Sequence, residues 1–231
     1  MNDYSLTALI SIPEEAGYFF PNRHFEYISG KPLYRIMIEK LEAINNIGKI
    51  IINTDSRSIK SEYSRSPKTK VIDVYHAEPQ EIELELTSDR LTTELLKHTE
   101  GEHFLQLGTI FPFVKPETIN RAIEMYDEHI INAEHHHYDS VFSIKTLNRR
   151  YYDSDTDFIR EDRPNTFVED GILHIFNRNT FQANGNRKVG KKPYLFGIDE
   201  IENFAVDSEE NHQITGFISD HRNRFPRVFG R

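Results

Sequence analysis

The chain has 231 residues, 37% of them hydrophobic and 28% charged, with a formal net charge of −9 and no cysteine. That is enough chain to bury a core in one large domain, and the composition is that of a globular protein. The acidic balance argues against a nucleic-acid or anionic-membrane surface, and the lack of cysteine excludes a disulfide framework and a thiolate nucleophile. Any zinc would rely on His and carboxylates. No apolar run approaches the roughly 20 residues of a membrane span, and Met1-Asn2-Asp3-Tyr4 carries no signal-peptide pattern, so a cytoplasmic protein is expected.

Leu6 to Ile12 reads as a buried first strand. It runs into the loop IPEEAGYFFPNRH, residues 12 to 24, which has one glycine and two adjacent carboxylates, Glu14 and Glu15. A helix is expected from Pro32, with Leu33, Ile36, Met37, Leu41 and Ile44 at helical spacing and Gly48 closing it. KIIINTDS is a short apolar run ending in Thr54-Asp55-Ser56, a buried strand with a polar turn at its carboxyl end. Arg57 to Lys70 holds a short helix and a loop, and KVIDVY, from Lys70, reads as a third strand. Ser88 to Lys97 is helical, capped by Ser88 or Asp89, with Leu91, Leu95 and Leu96 facing inward. EHFLQLG, from Glu102, is a strand, and Pro116 starts a helix with Ile119, Ala122, Ile123 and Tyr126 on one face. DSVFSIKT, from Asp139, GILHIFN, from Gly171, and KKPYLFGI are further strands. Residues 146–170 form a polar excursion without periodicity, the candidate arm or dimerisation element, and the C-terminal stretch is weakly helical.

Strands alternating with helices imply a single α/β domain: an open, mostly parallel, Rossmann-like sheet with helices on both faces. Ligands in such sheets bind beyond the carboxyl ends of the strands, here Pro13 to Arg23, Thr54 to Ser56 and Gln106 to Val114. Each candidate there has two readings. Asp55 either meets a nucleotide or metal or caps the next helix. Asp207 in VDSEEN either holds a metal or is an N-cap with Glu210 completing a capping box. Lys31 either meets a phosphate or is solvated, while Arg23 is placed at the strand ends by its neighbours. His135 to His137 read as a polar turn, because adjacent residues point different ways and rarely ligate one ion. Tyr18, Phe19 and Phe20 plug the core under the loop or stack on a base. The tail RNRFPRVFGR is basic and aromatic, and terminal tails are usually mobile.

The order ALISIP, SGKPLY, IIINTDS, FLQLGTIFPFVKPETINRAI, DSVFSI, DGILHIF, YLF and VDSEEN resembles the acylneuraminate cytidylyltransferase family over residues 6–215. Gly30-Lys31-Pro32-Leu33 and Thr54-Asp55-Ser56 are the most specific pieces. The resemblance implies a fold of the nucleotide-diphospho-sugar transferase type and a reaction in which CTP and an acidic, sialic acid-like sugar give a CMP-sugar and pyrophosphate. It also implies Mg²⁺ and a homodimer with a small arm. The residues it points to are Pro13, Pro21, Arg23, Lys31 and Asp55 for the nucleotide, with Arg23 and Asp207 in the catalytic group. It further points to Gln106 and Thr109 for the sugar, and to Asp207 for the metal.

Residue by residue the match is uneven. Anchored on Gly30-Lys31-Pro32, the family's first-loop arginine falls at Glu14 and its lysine at Tyr18, whereas Pro21 matches, a second lysine becomes Arg23, and the asparagine after it becomes His24. A carboxylate ~6 Å from an uncompensated phosphate charge costs on the order of 3 kcal/mol at an effective dielectric of 20. The family's Asn-Gly pair is Asp170-Gly171, an arginine falls at Val114, and of two late aspartates the first is Ala205 and the second Asp207. The rival expectation is therefore a catalytically silent relative that binds or scaffolds carbohydrate-assembly enzymes. A glycosyltransferase reading would rest on DSDTD, residues 153 to 157, a metal-type motif lying in the irregular excursion.

Overall fold

A computed structural model describes residues 4–14, 20–74, 89–134, 137–146, 151–153, 158–160, 167–221 and 224. Tyr18, Phe19, Ser88, His135, His136, most of 146–170 and nearly all of the basic tail lie outside them.

In chain order the elements are β1 (Leu6–Ser11), a hairpin of β2 (Tyr27–Ile28) and β3 (Lys31–Pro32), α1 (Leu33–Glu42), β4 (Ile47–Asn53), α2 (Arg57–Tyr63) and β5 (Thr69–Ile72). Then come α3 (Asp89–Lys97), β6 (His103–Leu107), α4 (Pro116–Tyr126), β7 (Ser140–Thr146), the small hairpin β8 (Tyr151–Asp153) and β9 (Phe158–Arg160), and β10 (Phe167–Asn177). The chain closes with α5 (Arg178–Ala183), β11 (Pro193–Gly197) and α6 (Glu209–Asp220). Seven strands form one sheet in the order β11-β7-β10-β6-β1-β4-β5. Only β10 runs against its neighbours; every other pairing in the sheet is parallel.

The strands of this sheet are apolar on both faces because both faces are covered. Ala8, Ile10, Ile50, Ile52, Leu105, Leu173 and Ile175 meet Met37, Ile38 and Leu41 of α1 and Ile119, Ala122 and Ile123 of α4. On the opposite face Leu9, Ile51, Phe104 and Phe176 meet Leu91, Leu95 and Leu96 of α3 and Phe181 of α5. Each such side chain taken out of water stabilises the fold by roughly 1.5–3 kcal/mol.

Several local expectations are corrected. The first helix starts at Leu33, with Pro32 extended just before it, and ends at Glu42 instead of Gly48. Gly48 belongs to β4, where a Cβ would sit 2.7 Å from Ser5 Oγ, so the glycine serves a close approach between chain segments. The Ser29-Gly30 turn between β2 and β3 has positive φ at both residues, 48° and 85°, which is what a tight hairpin demands. β10 starts at Phe167 rather than Gly171, and α5 follows it with the Asn177 side chain accepting the Thr180 N–H at 2.7 Å. The C-terminal stretch is a full helix, α6, capped by Ser208, which accepts the Asn211 N–H at 3.2 Å, so neither Asp207 nor Glu210 makes the cap. Its periodicity is weak because it buries only Thr215 and Ser219 and has no apolar stripe. Asp55 caps nothing either: Ser56 precedes α2 and makes no side-chain cap bond.

Candidate active site

Three of the parallel strands, β1, β4 and β6, deliver Pro13, Asp55 and Thr109 to one edge of the sheet. The loop after β1 is fixed there twice. Glu14 gives its backbone N–H to Asp55 Oδ1 at 2.7 Å, which ties β1 to β4. The Glu14 side chain is exposed. Farther along, Arg23 and His24 open a single 3-10 turn, Arg23–Phe25, and both are buried, 4% and 1% exposed.

His24 joins β1 to β6. Its Nδ1 lies 3.4 Å from the Pro13 carbonyl and its Nε2 2.6 Å from Thr109 Oγ1. Burial first, and the neighbouring Arg23 second, push its pKa down to about 3, so the ring is neutral at physiological pH. The carbonyl can only accept, so Nδ1 carries the proton, Nε2 accepts, and the Thr109 hydroxyl donates. Next to Thr109, the Ile110 carbonyl accepts the Val206 N–H at 2.8 Å, which brings Asp207 to the same edge. Asp207 is exposed and one carboxylate oxygen accepts the Asn211 side-chain N–H at 2.8 Å. The loop from Thr109 to Lys115 is pinned from behind by buried Glu202, which accepts the Lys115 N–H at 2.9 Å and the Thr118 hydroxyl at 3.0 Å.

Pro13, Arg23, Asp55, Thr109 and Asp207 are thus brought to one strand-end edge, with Pro21 exposed nearby in sequence. Lys31 is not part of that group. It sits on the hairpin, exposed, with its ammonium 2.6 Å from Glu39, beside a groove of about 390 Å³ between α1 and the Pro112–Phe113 loop. Gln106 shares β6 with the edge, but its side chain goes to the α3 face, where its carboxamide oxygen accepts the Thr92 hydroxyl at 2.8 Å.

On that face lies a second polar group. His174, 2% exposed, is the cross-strand partner of Gln106, and its Nε2 lies 2.7 Å from Glu169 Oε1. The Phe142 ring stacks on the imidazole at 6.1 Å. Lys188 is 2% exposed, and its ammonium is 4.0 Å from Asp89 Oδ1, beyond hydrogen-bond reach. Burial pushes its pKa down to about 8, against the pull of Asp89 and Glu169. Asp170 gives one oxygen to the Ser143 hydroxyl and, at 3.0 Å, to the Ile172 N–H; its other oxygen is buried without a hydrogen bond. Gly108 and Gly171 let β6 and β10 close here, since a Cβ on Gly108 would come within 2.6 Å of the Gly171 carbonyl.

Sequence reasoning missed His24, Glu202, His174 and Lys188. His24 was visible as the residue beside Arg23. The others are single polar residues inside apolar or loop segments, with no spacing signal to mark them.

Among the described residues no group of three or more His, Asp or Glu could hold a metal, and no helix is long and apolar enough to cross a membrane. No protein of curated function matches the sequence. The structure is similar to a 4-diphosphocytidyl-2C-methyl-D-erythritol synthase from Anaerococcus prevotii DSM 20548, at 14% identity and TM-score 0.70, over 95% of this chain and 100% of that one. It is also similar to a CMP:2-keto-3-deoxy-manno-octonic acid synthetase complexed with CTP, at 12% identity and TM-score 0.62, over 94% and 99%. The bifunctional IspDF from Campylobacter jejuni matches at 11% identity and TM-score 0.64, over 90% of this chain and 53% of that one. These likenesses establish a nucleotidyltransferase-type α/β fold. A sequence model of the cytidylyltransferase family matches residues 20–183, and the chain belongs to that family.

Proposed function

We propose that the protein transfers the cytidylyl group of CTP to an acidic sugar, giving a CMP-sugar and pyrophosphate. The observation that carries this reading is the junction of Pro13, His24 and Thr109, which holds the ends of β1 and β6 together beside Asp55 and Asp207. Such an edge is where α/β sheets hold nucleotides. A sugar hydroxyl attacks the α-phosphorus, the new P–O bond forms as the bond to the β-phosphate bridging oxygen breaks, pyrophosphate leaves, and the hydroxyl proton passes to solvent. Catalysis of this kind is mostly positioning and charge neutralisation. In this reading Pro13, Pro21 and Asp55 border the nucleoside, Arg23 serves the phosphates, and Gln106 and Thr109 the sugar, although these last three residues are buried and ligand would have to uncover them. Lys31, paired with Glu39, stands apart from this arrangement.

Asp207 fits a Mg²⁺ carried in on the triphosphate: it is exposed, one of its oxygens is unused, and Mg²⁺ commonly takes one or two carboxylates alongside phosphate oxygens and waters. Bound there, the ion would neutralise phosphate charge. Ala205, where the family has a second aspartate, makes the protein's own hold on it weaker. In the same reading the protein is a homodimer whose arm includes the hairpin of β8 and β9.

Glu14 in the position of the family arginine, with Ala205, favours a second reading, a silent relative that scaffolds other enzymes. Because the Glu14 side chain is exposed, solvent screens it and its repulsion of a phosphate falls below the figure calculated at a dielectric of 20. Calorimetry with CTP and Mg²⁺, alongside pyrophosphate release over a panel of acidic sugars, decides between them. CTP binding with release for one sugar is expected. Absence of any nucleotide binding overturns the enzyme reading in favour of the scaffold.

A further inference from the structure

A lysine whose ammonium makes no hydrogen bond is buried beneath the sheet, and the fold goes to some length to keep it there. The segment carrying Lys188 is clamped by backbone N–H donors. Lys188 itself donates to Asp89 Oδ1 at 3.0 Å, Gly190 to Ser140 Oγ at 2.9 Å, and Lys191 to Asp139 Oδ2 at 2.8 Å. The clamp is tight enough that a Cβ on Gly190 would lie 2.0 Å from Asp139 Oδ1. Yet the ammonium it positions makes no hydrogen bond. A buried ammonium whose charge is met by Asp89 only at 4.0 Å, with no hydrogen bond, recovers little of its desolvation, so a structural role does not account for it.

Its surroundings are a set of polar groups with unused capacity. Asp89 and Thr92 lie one turn apart on α3, and Thr92 holds the oxygen of Gln106, leaving the Gln106 NH₂ as a donor. Glu169 and His174 face Lys188 from β10, with Phe142 stacked on His174. The Asp89 and Glu169 side chains are each 37% exposed and form the mouth of the group. Burial holds His174 below its usual range despite Glu169, so the imidazole is neutral at pH 7. Counting Arg187 and Asp170 at its border, the group therefore sets two cations against three carboxylates. A further anion would meet net negative charge, whereas neutral hydroxyls, which both donate and accept, match the alternating donors and acceptors, and Phe142 offers an apolar face to a sugar ring or chain.

We propose that Lys188, with Glu169, Asp89 and Gln106, reads the hydroxyl-bearing body of the second substrate, so that this end selects a polyhydroxy compound while its acidic group is held elsewhere. The inference rests on the cytidylyltransferase reading and places the sugar's hydroxyls on the α3 side of β6, next to the strand-end edge. Lys188 then trades stability for selectivity.

The test compares the full-length protein with Lys188→Met, which keeps the length of the side chain and removes the charge. Calorimetry in the presence of CTP uses a panel of hexuronic and ulosonic acids, including 2-keto-3-deoxy-manno-octonic acid and N-acetylneuraminic acid, with pyruvate as a hydroxyl-poor acid. The expected result has three parts. At least one polyhydroxy acid binds the wild type and weakens about tenfold or more in the variant; CTP and pyruvate titrations are unchanged; and the variant melts no lower than the wild type. Equal binding of the sugar acid by both proteins, or a variant that melts well below the wild type, overturns the inference. So does a wild type that binds CTP but none of the polyhydroxy acids. Failure of the wild type to bind CTP strikes the underlying function instead, and is read separately from the sugar titrations.

Discussion

At the β1–β4–β6 end of the cleft, polar groups spend their bonding on one another. Thr109 donates to His24, His24 to Pro13, and Glu14 gives its N–H to Asp55. At the β6–β10–β7 end the opposite holds: the Lys188 ammonium and one Asp170 oxygen are buried with no hydrogen bond. Buried polar groups are nearly always satisfied, so the two that lie together here, a cation and a carboxylate oxygen, mark a place where bonding is completed by something else; at the first end the Nε of Arg23 also makes no hydrogen bond, although that residue is engaged otherwise. The first end is a scaffold that fixes strand ends and loops in relative position. The second stores unmade bonds.

If the first end is the scaffold, breaking its supports should have the largest effect. Glu202 is 1% exposed and sits at the N-terminus of α4, accepting from Lys115 N–H and the Thr118 hydroxyl, where the helix dipole also favours its charge. Glu202→Ala should cost about 3 kcal/mol in urea unfolding, the sum of a lost cap and stranded donors. A loss under about 1 kcal/mol would show that the other ties, His24 to Thr109, Val206 to Ile110 and Lys40 to Pro112, hold the loop from Thr109 to Lys115 without it. Gly190→Ala strikes the other end. Its Cβ would displace the Asp139 carboxylate, with an expected loss of about 2 kcal/mol from overpacking and broken clamps. CTP affinity should not change, because the clamp serves the Lys188 side. A drop in CTP affinity as large as the drop in stability would mean the two ends are not separable.

His24 gives the comparison a pH signature. The unfolded chain takes up a proton near pH 6.5, but the folded protein resists until about pH 3. Below 6.5 the unfolded state therefore binds more protons, and stability falls as pH falls. Between pH 6.5 and 5 the loss from this residue is about 2 kcal/mol. His24→Gln, which keeps a donor and an acceptor but cannot titrate, should flatten that slope in urea melts taken across the interval. His174 is also held below its usual range and accounts for a residual slope in the variant. An unchanged slope would place the acid sensitivity elsewhere.

How much of this was legible beforehand follows from where the physics is local. The parallel sheet and its helices were readable because β1, β4 and α4 are long apolar patterns with period or burial written into them. The strand-end residues Pro13, Arg23, Asp55 and Thr109 were readable because topology alone sends them to one edge. Helix α6 was not, since it packs with two small polar residues rather than an apolar stripe. Lys188 was not, because its burial depends on Asp89, Asp139 and Ser140, two of them at the start of β7 some fifty residues earlier and one about a hundred earlier. No window of sequence contains that information.

The smallest expected effect is at Asp170, where the orphan oxygen can be removed without changing shape. Desolvation raises the pKa of this carboxyl, with the bonds from Ser143 and Ile172 opposing. Its ionised form is thus penalised in the folded state, and whatever stability the neutral carboxyl gives at low pH is lost as pH rises through the folded value. Asp170→Asn keeps the oxygen that Ser143 and Ile172 use and replaces the buried orphan with an uncharged NH₂. It should therefore gain about 1 kcal/mol at pH 7.5, and the gain should shrink toward zero as pH approaches 4. Urea melts of the two proteins at several pH values measure the difference directly. A gain independent of pH would mean that packing, not charge, separates them, and a loss at neutral pH would mean that the buried oxygen has a partner in solution.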